Sequence, residues 1–262
     1  MRPDRLALPL LMALALSACA GTGSSAMGGP PKARQVDAER REAAVLQVKL
    51  GQGYLTEGDL GTARDKLQRA LELDPGSVDA HTLMAVLNER INRPNVAESF
   101  YRRATELKPE DGAVNNNYGA FLCTGGRFAE AEPYFGRAIS DPFYRTPEVA
   151  YTNAALCAIK AGFGDKAEGY LRSALDIQPR NAVALFELAR IQFAKGDLLR
   201  ARAFLQRYEA MTPDGDPEAL DLGARIEERA GAAAAAAAYR RRLQEQFPLY
   251  VPNAENEESR SP

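Results

Sequence analysis

Residues 63–75 read Ala63-Arg64-Asp65-Lys66-Leu67-Gln68-Arg69-Ala70-Leu71-Glu72-Leu73-Asp74-Pro75, and residues 97–109 read Ala97-Glu98-Ser99-Phe100-Tyr101-Arg102-Arg103-Ala104-Thr105-Glu106-Leu107-Lys108-Pro109. Small, large apolar and small residues fall at matching places, and each stretch ends at a proline thirty-four residues from its counterpart. Ala167 and Ala201 share that interval, as do Pro179 and Pro213. A fixed period of this length marks a supersecondary unit that buries its apolar face only by stacking on its neighbours. Within the unit the alanines recur at helical spacing, and the residue before each proline is pushed out of helical dihedrals, so a helix ends there.

The period, the small residues and the closing proline resemble the tetratricopeptide repeat, a helix–turn–helix unit. The resemblance implies an all-α, right-handed superhelical solenoid of six repeats within residues 36–248, starting near residues 44, 78, 112, 148, 182 and 216. In the first repeat Leu50, Gly51 and Tyr54 fall on the first helix, and Ala63, Leu67 and Ala70 on the second. Gly58-Asp59, Asn92-Arg93-Pro94, Gly125-Gly126, Gly162-Phe163-Gly164-Asp165 and Gly196-Asp197 separate the two helices of successive repeats. The sixth repeat carries an alanine run through Ala232–Ala238 and closes at Phe247-Pro248, the drift expected of a terminal repeat. Asp141-Pro142-Phe143-Tyr144-Arg145-Thr146-Pro147 lengthens one junction.

Outside the repeats, Arg2 and Arg5 precede an apolar run from Leu6 to Leu16, too short to span a bilayer. Leu16-Ser17-Ala18-Cys19 then resembles a bacterial lipobox. It implies a signal peptide over residues 1–18, lipidation of Cys19, and a Gly/Ser/Pro-rich tether over residues 19–35. Several acyl chains on one cysteine suffice for stable anchoring. Ala20, and not aspartate, after the cysteine implies the outer membrane, facing the periplasm. The acidic, proline-containing residues 249–262 are expected to be disordered.

The chain has 262 residues, with 33 Lys and Arg against 35 Asp and Glu. That balance lacks the basic excess of a nucleic-acid surface. An enzyme is disfavoured too. His81 is the only histidine, and no nucleophile elbow, zincin motif or phosphate loop is present. Neither a cofactor nor a small-molecule substrate is expected, beyond the lipid on Cys19.

The expected business of such a solenoid is protein binding in a concave face built from its first helices. Positions two, five, nine, twelve and thirteen of each repeat are the candidates. They include Val45, Val48, Gln52, Leu55 and Thr56 of the first repeat, an apolar set. Val86, Asn116, Leu156, Phe186 and Phe193 extend it along the later repeats. The alternatives are that the register is displaced and these residues are core, or that the tether or an N-terminal helix covers the first-repeat patch. Cys123 and Cys157 lie on first helices of adjacent repeats; a disulfide is favoured over two buried thiols in an oxidising compartment.

Three stretches narrow the resemblance. Asn116-Asn117-Tyr118-Gly119-Ala120-Phe121-Leu122-Cys123, the junction Asp141–Pro147 and Asn153-Ala154-Ala155-Leu156-Cys157 resemble, in order and spacing, the PilF/PilW family of type IV pilus biogenesis lipoproteins. Phe186-Glu187-Leu188-Ala189-Arg190 and Ala203-Phe204-Leu205-Gln206-Arg207-Tyr208 continue the likeness. The family implies a pilotin, which accompanies the pilus secretin to the outer membrane and promotes its multimerisation. It also implies the Cys123–Cys157 bridge and an apolar first-repeat groove. The alternative is another outer-membrane repeat adaptor, in β-barrel assembly or envelope-hydrolase regulation. Tyr208, in place of a small residue, and the alanine-rich sixth repeat depart from the pattern.

Overall fold

The computed structural model describes residues 31–252; Cys19, the signal peptide and residues 253–262 lie outside them. Twelve helices follow one another: α1 Pro31–Glu57, α2 Leu60–Leu73, α3 Val78–Arg90, α4 Pro94–Leu107, α5 Gly112–Thr124, α6 Phe128–Ser140, α7 Pro147–Lys160, α8 Gly164–Ile177, α9 Ala182–Ala194, α10 Leu198–Glu209, α11 Pro217–Arg229 and α12 Ala233–Gln246. They pair as six helix–turn–helix repeats in a superhelical solenoid, with no strand among the described residues.

Local chemistry sets the boundaries. Asp59, Ser77, Asp111, Asn181, Asp197 and Asp216 accept hydrogen bonds from backbone N–H groups in the first turns of α2, α3, α5, α9, α10 and α11. Pro94, Pro147 and Pro217 sit in first turns, where a missing N–H costs nothing. Gly58, Asn92, Gly126, Gly162, Gly196 and Gly231 all have positive φ, one at the end of each first helix. The second repeat uses asparagine there, the residue that best tolerates this conformation after glycine.

The core repeats with the sequence. Ala63, Ala97, Ala131, Ala167 and Ala201 are fully buried, and Leu67, Tyr101, Phe135, Leu171 and Leu205 are buried one turn further along. Gly119 lies under the Phe135 ring: a Cβ there would come within 3.0 Å of it. A Cβ on Gly223 would come still closer to Tyr239, within 2.5 Å, so the glycine lets that ring pack tightly in an otherwise alanine-rich last repeat. Tyr208 is accommodated at the next junction. Its ring lies 5.0 Å from Phe186 and its hydroxyl donates to the Asp216 carboxylate, which caps α11.

Two boundaries differ from expectation. The tether expected through Gln35 ends earlier, because α1 begins at Pro31. Gln35 to Glu42 are strong helix formers for the most part, and they extend the first helix ahead of Ala44. The lengthened junction is pinned, not loose. The Asp141 carboxylate accepts from the Gly112 N–H at 2.7 Å and the Phe143 N–H at 2.9 Å, and Tyr144 packs where a side chain on Gly112 would stand.

Acid should loosen this fold through one cluster. Lys195 donates to Glu168 at 2.7 Å, and with Arg172 it outweighs burial to hold that carboxyl down at about 2. The ion pair therefore stabilises fully above the ordinary glutamate range, near 4.5, and its contribution is lost as pH falls toward about 2. Thermal melts of Lys195→Met should lie slightly below wild type at pH 7 and merge with it near pH 2.

Candidate protein-binding surfaces

First helices of neighbouring repeats touch one another, α1 with α3, α5 with α7 and α9 with α11, whereas second helices pack mainly on their own repeat and on the next first helix. The first helices therefore line the inner side. A groove of about 290 Å³ opens there between α1 and α3, lined by Val45, Val48, Lys49, Gln52, Asp79 and Thr82. Another, of about 260 Å³, opens across α9 and α11; Phe186, Arg190, Phe193, Glu218, Leu222 and Arg225 are among its walls. Phe193 forms its floor, with the Arg225 and Arg229 guanidinium groups 4.9 and 4.8 Å from the ring centre. Glu187 beside it pairs with Arg190 at 3.3 Å, yet burial raises its carboxyl above the ordinary range.

The expected groove residues divide by position. Val45, Gln52 and Thr56 are exposed, and Val45 and Gln52 lie in the first groove. Val86, Leu156 and Phe186 are half-buried. Leu55 and Asn116 are buried and line neither groove, which corrects their reading as groove residues, while Val48 and Phe193 are largely buried but still contribute to the groove walls. Positions five and twelve are seven residues apart, so they share one side of the first helix, and that side faces the next repeat. Leu55 packs in a core cluster with Ala63, Leu67, Met84 and Leu87. Asn116 accepts from Asn153 at 3.0 Å across the junction of α5 and α7. Positions two, nine and thirteen remain for a partner.

Cys123 and Cys157 are joined in the structure, with Cα atoms 5.7 Å apart, stapling α5 to α7. Beside this staple lies a larger feature the sequence reading missed. A cavity of about 550 Å³ between α6, α7 and α8 is walled by Phe128, Phe135, Ala154, Cys157, Phe163 and Tyr170. Its rim charges are internally matched, Arg127 with Glu130 at 2.7 Å and Lys166 with Glu132. The one signal was Phe163, an exposed aromatic inside a Gly-Phe-Gly turn. Among the described residues no cluster of His, Cys, Asp and Glu could hold a metal, and no helix is long and apolar enough to cross a membrane.

Stacked helix pairs, apolar inner grooves and matched rim charges define a tetratricopeptide repeat scaffold, a class of protein that presents surfaces to other proteins. The tetratricopeptide repeat family profile matches residues 54–116 and 158–226. The type IV pilus assembly protein PilF of Pseudomonas aeruginosa is 30% identical over 224 residues, covering 85% of each chain. The crystal structure of PilW, a type IV pilus biogenesis factor, superposes with a TM-score of 0.73 at 33% identity, covering 79% of this chain and 94% of that one. The solved P. aeruginosa PilF superposes with a TM-score of 0.75 at 28% identity, over 81% and 95% of the two chains. The chain belongs to the PilF/PilW family of tetratricopeptide repeat proteins of type IV pilus biogenesis.

Proposed function

We propose that this protein is a non-enzymatic pilotin: an outer-membrane lipoprotein that binds the type IV pilus secretin and promotes its assembly into multimers. The observation that carries the reading is the inner groove of the first two repeats, with apolar Val45 and Val48 beside polar Gln52, Asp79 and Thr82. Such a groove takes an extended or helical segment on apolar anchors, while its polar rim orients the segment. Its place at the N-terminal end of the solenoid supports a division of labour. A lipid on Cys19 holds the chain to the periplasmic face of the outer membrane, and the groove presents the secretin to that same surface.

Deleting the gene is expected to abolish heat-resistant secretin multimers and twitching; normal multimers would overturn the pilotin reading. A finer test uses Val45→Glu with Gln52→Glu, because both residues are exposed and neither supports the core. Capture of the secretin should weaken about tenfold or more while the melting temperature holds. Unchanged capture would remove the groove from the reading. Val48→Glu or Leu55→Glu would test nothing, since burying a charge there unfolds the repeat. Cys19→Ser should release the protein from the outer membrane and mislocalise the secretin.

A further inference from the structure

α1 is apolar on two sides. Ala44, Val48, Gly51 and Leu55 turn inward and are buried. On the other side Val36, Ala43, Leu46, Leu50 and Gly53 follow a spacing of sevens, threes and fours, the seam of two packed helices. Val36 is 52%, Leu46 57% and Leu50 39% exposed.

The repeat itself shows what this side is for. Thirty-four residues after Leu46 and Leu50 stand Ala80 and Met84; the matching pairs further on are Val114 and Tyr118, Ala150 and Ala154, and Ala184 and Leu188. All eight are buried, because the preceding repeat covers them. In the sixth repeat the matching pair is Glu218, polar and exposed, and Leu222, which is buried. Among these pairs Leu46 and Leu50 of the first repeat, which has no predecessor among the described residues, are the apolar ones that stand open.

We propose that a second copy of this chain fills it, with the two α1 helices packed antiparallel about a two-fold axis near Leu46. The flanking charges favour this occupant and this direction. Glu42 and Lys49 lie seven residues apart on one edge of the seam, and both are exposed. Antiparallel pairing sets each Glu42 beside Lys49 of the second copy, so the same ion pair forms twice, as a self-complementary interface requires. Parallel pairing sets Glu42 beside Gln47 and forms neither. Ala43 lies between these charges and lets the backbones approach. The interface shares Lys49 with the groove wall but leaves Val45, Val48 and Gln52 open, so its apolar contact on Leu46 and Leu50 stands apart from the proposed secretin contact.

Sedimentation equilibrium of the purified protein tests it. Wild type is expected to dimerise reversibly, and Leu46→Glu with Leu50→Glu to be monomeric with an unchanged helical spectrum, since both side chains are exposed in the monomer. Glu42→Lys or Lys49→Glu alone should raise the dimer Kd roughly tenfold, and the two together should restore it. A wild-type monomer at all concentrations up to about 10⁻⁴ M, above the Kd range of stable interfaces of ordinary size, overturns the proposal. So does a charge-swapped double variant that stays monomeric. If Leu46→Glu with Leu50→Glu instead removes secretin capture from a monomeric protein, the face belongs to that partner and the dimer is excluded.

Discussion

Phe135→Ala is expected to cost about 3–5 kcal/mol of folding stability, at the upper end for a single core truncation. The ring is buried in a cluster with Tyr101, Tyr118, Leu122, Cys123 and Cys157. Its edge lies directly on Gly119, so no neighbouring side chain stands ready to move in. It also walls the 550 Å³ cavity, and removing it joins a new void to an existing one. Voids of this kind collapse poorly where the backbone is held, and here the disulfide holds α5 against α7. Urea unfolding followed by circular dichroism measures the loss. Because Phe135 sits at the middle of a chain of nearest-neighbour interfaces, the single transition should also separate into two. Phe135→Leu, which keeps most of the volume, should recover the larger part. A loss below 1 kcal/mol would mean that the cavity closes on truncation and the ring is not a keystone of the central repeats.

Replacing Cys123 and Cys157 by serine is expected to cost roughly 3–4 kcal/mol, nearly as much, for a different reason. The bridge closes a loop with a sequence separation of 34, and in the chain-entropy account the effect lies in the unfolded state, which the cross-link makes less numerous. The native contacts around it are otherwise unchanged, since both cysteines pack as small apolar groups among Leu122, Phe135 and Ala154. Melts with and without reductant separate the two contributions. Reductant should destabilise wild type by nearly the full amount and leave the double variant unmoved. Equal melts in wild type and variant would show that the thiols are not oxidised or that the bridge opposes the native geometry.

The fold was legible because its signals are local. Small residues at Ala63, Ala97, Ala131, Ala167 and Ala201, a left-handed residue at each helix turn and a proline or cap at each boundary all act within a few residues of themselves. The site was legible only in part. The inner face follows from the repeat, yet its positions were not separated: Leu55 and Asn116 share the groove's helices but are buried against the next repeat, and Val48 and Phe193 reach the grooves only from a largely buried position. Residues two and nine, such as Val45 and Gln52, differ from them by less than a quarter turn on the helix, finer than a register read from spacing resolves. The junction Asp141–Pro147 was visible as an insertion, but that Asp141 caps α5 depends on a contact across 29 residues.

By itself, then, the sequence determined that this chain is a stack of helix pairs, where each pair turns and ends, and which family it resembles, since period, propensity and capping are properties of neighbouring residues. Tertiary structure alone decided which first-helix residues remain open for a partner and that a cavity lies beside the cysteine staple. It also decided that, among the described residues, no neighbouring helix covers Leu46 and Leu50. These depend on what the stack places against each helix, and identical positions in successive repeats are buried or bare according to whether a neighbour stands there.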